Sequence, residues 1–159
     1  MNEEVRLKIR SVRFEVEASL FSEDDGDGLD IRESREAEPE AFEINTVGRI
    51  KLIDGRVELS YDESEVTGME GSVTALTYMT DCEGIVSMIR KGSVSTTLVF
   101  EEGKRHHCLY NTPYMPFEVC VHTLKVNNRL TEDRYIELDY IVEIRGARAE
   151  RTRFRMELL

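Results

Sequence analysis

Two histidines and two cysteines, His106, Cys108, Cys120 and His122, stand close together in the chain, and that residue set is the one a structural zinc ion takes. Whether they meet depends on strand register. Pairing His106 with His122 would join them, but it would set Phe117, Val119 and Val121 opposite His107 and Leu109. The register that matches apolar stripes puts His106, Cys108 and Tyr110 with Phe117, Val119, Val121 and Thr123, and turns Cys120 and His122 outward. No metal site is expected there. Asp25-Gly26-Asp27-Gly28 invites a calcium loop, but with Glu23, Asp25 and Asp27 as the first three ligands the bidentate carboxylate position falls on Ser34. Cys108, His106 and Glu63 supply the residue types of a nucleophilic triad. Alternation of Cys108 and His106 on one strand does not aim the imidazole at the thiol. With no nucleophile elbow, phosphate loop or dinucleotide fingerprint in the chain, no catalytic residue and no cofactor is assigned.

The chemistry that remains is polar residues on stripes that are otherwise apolar. Tyr61 and Glu63 continue the stripe of Val57 and Leu59, and His106, Tyr110, Thr123, Tyr140 and Thr152 do the same on later strands. Arg90 shares parity with Val86 and Met88. An inward Glu63 needs a partner, because a buried charge is costly unless paired, and Arg90 is the candidate. These residues are expected to line a polar cavity for a small molecule, anions among its candidates. The competing reading makes them barrel-end groups satisfied by one another or by water.

Strands must position them. Apolar–polar alternation over short runs, broken by Gly and Asp turns, fills nearly the whole chain, and helical spacing is scarce. Val5, Leu7 and Ile9 occupy odd positions while Val12, Phe14 and Val16 occupy even ones. That slip of parity predicts a β-bulge near Ser11. Asp54-Gly55 between two apolar runs predicts a type I′ hairpin pairing Leu52 with Val57 and Ile50 with Leu59. Further strands are expected at 69–80, 85–90, 93–100, 105–110, 117–124, 135–145 and 149–158. A turn at 91–93 would pair Arg90 with Val94, and a loop around Gly103 would pair Leu98 with His106. A loop at 145–147 would bring Glu137 and Asp139 against Arg155 and Arg153 on the solvent face.

The expected architecture is all-β: a single antiparallel up-and-down barrel of eight to ten strands, with residues 1–159 as one domain. Closure would join the long first strand to the last, removing exposed edges. Residues 22–40, rich in acids, are expected to form an exposed loop.

Composition bounds the function. Of the chain's 159 residues, 21 are Lys or Arg and 32 are Asp or Glu, for a net charge of −11, so nucleic acid and anionic membrane surfaces are poor partners. The opening MNEEVRLKIR lacks the uncharged core of a signal peptide. Three cysteines without framework spacing read as free thiols, and a cytoplasmic location is expected. The oligomeric state is left open. Binding of a small molecule inside the barrel is the preferred function, with a protein-interaction or structural module acting through the outer surface as its alternative.

Tyr61-Asp62-Glu63, Thr67-Gly68, Ile89-Arg90-Lys91-Gly92, Phe100 to Gly103, Tyr110-Asn111-Thr112-Pro113-Tyr114 and Thr123 occur in the order of a known pattern. On them, the chain resembles the YwiB-like bacterial domains of unknown function over roughly residues 4–158. The resemblance implies a calycin-like, lipocalin-resembling β-barrel from a bacterial cytoplasm. It implies no reaction. One departure is Met115, where the pattern has glycine.

Overall fold

The computed structural model describes residues 2–18, 31–33, 39–144 and 149–159. Alternating sequence becomes strand almost throughout: β1 (Asn2–Ala18), β2 (Ile31–Glu33), β3 (Glu40–Ile53), β4 (Arg56–Asp62), β5 (Val73–Met79) and β6 (Cys82–Lys91), followed by β7 (Ser95–Glu101), β8 (Arg105–Asn111), β9 (Pro116–Arg129), β10 (Tyr135–Ile144) and β11 (Ala149–Leu158). From β3 to β11 each strand pairs antiparallel with the next, and β1 lies between β3 and β11. That last pairing closes the meander into a barrel, so its ten long strands have neighbours on both sides. The short β2 pairs with residues 16–18 of β1, beyond the point where β3 begins.

Turn chemistry explains the best-defined corner. Asp54 (φ 51) and Gly55 (φ 76) both take the left-handed conformation that a two-residue type I′ turn requires. The turn sets Leu52 opposite Val57 and Ile50 opposite Leu59, as expected. At the C-terminal hairpin, Glu137 faces Arg155 and Asp139 faces Arg153, also as expected. Side-chain pairing then adjusts the row: Arg155 bonds Glu137, while Asp139 takes its short contacts from Arg151. The loop proposed at 145–147 lies outside the described residues.

Three expectations need correction. No bulge occurs near Ser11, because β1 runs in unbroken register against β11 from Leu7 to Val16 and against β3 from Asn2 to Arg13. Ser11 and Arg13 therefore continue the inward stripe of Leu7 and Ile9. Val12, Phe14 and Val16 face outward, and Val16 packs with Ile141 and Ala149 in a second apolar cluster that Phe14 and Leu124 join. Among the described residues register shifts lie instead in β9, where Leu124 is the extra residue as Asp139 pairs with Lys125 and Tyr140 with Thr123, and between β5 and β6, where Thr77 pairs with Ser87 but Met79 with Cys82. The β6–β7 and β7–β8 registers each differ by two residues from expectation: Arg90 faces Thr96, and Thr96 faces Tyr110. A shift of two preserves which face a side chain occupies. Of the segment read as an acidic loop at 22–40, Ile31–Glu33 is strand and Glu40 opens β3; residues 22–30 and 34–38 lie outside the described residues.

The interior is mostly packed. Leu7, Ile9, Leu59, Leu76, Val86, Phe100, Val119, Val121, Ile136 and Met156 are all but fully buried in one cluster. A four-residue helix, α1 (Leu130–Asp133), links β9 to β10 and buries Leu130 in the same cluster. That end of the barrel is stoppered by side chains. At the β8–β9 corner, the Thr112 hydroxyl accepts from the amides of Tyr114 and Met115 and donates to the Met115 carbonyl. Among the described residues the non-glycine positions with positive φ are Asp54 and Arg134. Met115 thus fits the loop without glycine's conformational freedom.

Candidate functional site

At the end away from α1, inward residues of β1, β6, β7, β8, β10 and β11 enclose a pocket of ≈ 280 Å³. Arg13, Arg90, Tyr110, Tyr140, Thr152 and Glu150 provide its polar lining, and Met88, Leu98, Val142 and Ile144 its apolar lining. Strand alternation explains the composition. One step deeper along the same stripes the residues are the packed core, so polar side chains appear where the barrel approaches solvent.

A relay of hydrogen bonds holds Arg90. Its Nε donates to Thr74 Oγ1 at 3.2 Å, and Thr74 Oγ1 donates to Glu63 Oε1 at 2.7 Å. Arg90 Nη2 lies 3.9 Å from that same carboxylate oxygen. Glu63 is buried, with its side chain 1% exposed, and its Oε2 has no hydrogen-bond partner. Register builds this group: Tyr61 faces Thr74 across β4–β5, and Thr74 faces Arg90 across β5–β6. The Tyr61 hydroxyl is held well above its ordinary titration range, first by burial and then by the Glu63 charge beside it.

Two phenols complete the wall. Tyr110 stacks on Phe117 with centroids 5.3 Å apart, and Tyr140 lies against Phe100 at 4.5 Å. Burial pushes the Tyr140 hydroxyl up to about 12, with Tyr110 adding to the rise while Arg90, Arg13 and the Thr152 hydrogen bond oppose it. Tyr110 is raised for the same principal reason. Both phenols therefore remain neutral O–H donors at ordinary pH. Arg13 lies 3.7 Å from Glu150, both of them at the half-exposed rim.

The residues expected to form one cavity divide by position. Arg90, Tyr110, Tyr140 and Thr152 line the pocket, and Tyr61 and Glu63 stand behind Arg90 as its support. Thr123 lies opposite Tyr140, fully buried, with its hydroxyl unpartnered. His106 is outside this group; its Nε2 is 3.5 Å from Glu101 Oε1, beside the β7–β8 turn. Arg13, Glu150 and Thr74 were not among the expected residues. Thr74 shares parity with Leu76 and Tyr78, and Glu150 with Thr152, which are the signals that point to those two; the slip of parity in β1 hides the inward position of Arg13.

The histidine–cysteine set is divided by the barrel wall. Cys108 is buried on the inner face, whereas Cys120 pairs with His107 and His122 with Arg105 on the outer one. Arg105 Nε donates to His122 Nδ1 at 3.0 Å, and burial together with that guanidinium lowers the imidazole's affinity for a proton. Outside the barrel, a larger concavity of ≈ 620 Å³ lies over β3 to β6. There Arg49, Lys51, Arg56 and Lys91 are interspersed with Glu4, Glu58 and Asp62. No helix among the described residues is long and apolar enough to cross a membrane.

Comparison with known proteins bears on the fold. A family model described as Domain of unknown function (DUF1934) matches residues 29–156. No curated protein matches. Among solved structures, the chain is similar to the crystal structure of ywiB protein from Bacillus subtilis, with 20% identity and a TM-score of 0.65 over 98% of this chain and 93% of that one. A likeness at this identity shows a shared barrel fold and nothing further.

Proposed function

The chain belongs to the DUF1934 family of domains of unknown function, and from the chemistry of its own barrel end we propose that it binds a small anionic molecule without transforming it. One observation carries this reading: the pocket gathers two guanidinium groups and two neutral phenols around an apolar floor. Such a lining offers donors to a ligand that brings acceptors. Arg90 is fixed before any ligand arrives, because Thr74 and Glu63 hold it from behind, and a preset side chain loses less freedom on binding. A volume of ≈ 280 Å³ is at the lower edge of ordinary ligand pockets.

The test is a set of titrations of the full chain with acetate, sulfate and inorganic phosphate at constant ionic strength, followed by thermal shift and by the ring resonances of Tyr110 and Tyr140. At least one anion should raise the melting temperature and move those resonances, and Arg13→Gln should weaken both effects. Uniform responses that track ionic strength alone, or shifts unchanged in the variant, would overturn the proposal.

A further inference from the structure

Resting on that anion-pocket reading, we infer that the ligand is a monocarboxylic acid carrying a compact apolar body, rather than a phosphate or another dianion. Charge balance is the first argument. Each pocket arginine already has a carboxylate near it: Glu63 is 3.9 Å from Arg90, and Glu150 is 3.7 Å from Arg13. Glu15 stands opposite Glu150 across β1 and β11. Among the described residues the pocket thus holds no surplus of positive charge. A single negative charge can share the guanidinium donors, while a second would face two or three carboxylates across a partly dry space.

Donor geometry is the second. Arg90 uses Nε on Thr74 and turns Nη2 toward Met88 Sδ and Glu63. Its Nη1 has no partner among the described residues, and the residue lines the pocket. A planar carboxylate fits such a guanidinium edge together with a phenol O–H. Tyr140, a neutral phenol on the same wall, can supply that donor.

The apolar lining is the third. Met88 and Leu98 are buried beneath the polar groups, and Val142 and Ile144 form one side of the pocket. Inorganic phosphate or acetate would leave those four side chains without a ligand surface to cover. At the ~30 Å³ that one water occupies, the pocket has room for roughly nine waters, or an acid of about eight to ten non-hydrogen atoms.

Isothermal titration of the full chain with hexanoate, acetate, hexanol and monohexyl phosphate tests the assignment. Hexanoate should bind at least about tenfold tighter than acetate, since burying its additional methylenes adds affinity. It should also exceed hexanol and monohexyl phosphate by a similar factor. Val142→Ser should weaken hexanoate severalfold and acetate by a smaller factor. Arg90→Met should abolish hexanoate binding; should that variant not fold, Arg13→Gln at the exposed rim provides the reading, with a loss of severalfold. Tighter binding of monohexyl phosphate, or equal binding of acetate and hexanoate, would overturn the carboxylic-acid assignment while an anion pocket survives. Silence from every anion would overturn both.

Discussion

Arg90 reaches Glu63 mainly through Thr74: the guanidinium donates to the threonine hydroxyl at 3.2 Å, and the hydroxyl donates to the carboxylate at 2.7 Å. The direct approach of the two charges is longer, at 3.9 Å. Because the Glu63 side chain is 1% exposed and that of Arg90 16%, the carboxylate is the member that depends on the arrangement. A buried charge stripped of its partners is expensive, and this one already has an unpartnered oxygen.

Arg90→Met should therefore destabilise the barrel by about 3 kcal/mol, through the charge left on Glu63. Glu63→Gln should cost less, and the double variant should recover much of the loss. A double-mutant cycle by denaturant unfolding near neutral pH measures the coupling. Additive effects below about 1 kcal/mol would show that the two side chains do not act together.

Stability should fall in alkali on account of Tyr140. Its hydroxyl is pushed up to about 12 in the fold from an ordinary 10, so the folded chain retains a proton that the unfolded chain has lost. The contribution is complete below pH 10 and is lost as pH rises through 12, a decline of about 2 to 3 kcal/mol for a shift of this size. Tyr140→Phe should flatten the decline. Unfolding free energies measured alongside phenolate absorbance test it, and an unchanged slope in the variant would place the loss on another group.

Gly48→Ala should cost about 1 to 3 kcal/mol through overpacking. A Cβ at that position would stand 2.5 Å from Leu7 Cδ1 and 2.5 Å from the Ser60 carbonyl oxygen. The leucine can be trimmed; the carbonyl belongs to the β4 backbone and cannot. Adding Leu7→Ala to the glycine variant should consequently give no net recovery, as chemical denaturation will report.

Leu130→Ala separates the two barrel ends. Leu130 is buried in the main cluster from α1, and its truncation should cost about 2 to 4 kcal/mol. Response to added anions should remain that of the parent chain when thermal shifts are compared. A lost response would mean that ligand enters from the α1 end.

How much could be read in advance differs from strand to strand. The Asp54-Gly55 hairpin was legible because its turn residues and its apolar stripes specify one register independently. So was the C-terminal hairpin, where Glu137 and Asp139 face Arg155 and Arg153. Strand type, inward parity and the presence of Glu63 and Arg90 on one inner surface follow from local alternation, which needs only the pleat. Where alternation slipped, in β1, local pattern had two solutions. A bulge would have kept Val12, Phe14 and Val16 inside; the barrel instead turns them outward onto Ile141 and Ala149 and sends Arg13 inward. Nothing near residue 12 distinguishes these, because the outer cluster is assembled from β10 and β11, more than a hundred residues away.

Closure decides the site itself. Sequence pattern puts Arg90, Tyr110, Tyr140 and Thr152 on inner faces, but their depth depends on the sum of every register around the ring. Two hairpins ran two residues from expectation without changing a face. Depth is what gathers those four with Arg13 around one pocket and leaves His106 beside Glu101. Alternation is a property of neighbouring residues, so the chain states it locally; the level at which an inward side chain sits is a property of ten strands closed into a ring, and only the tertiary structure contains it.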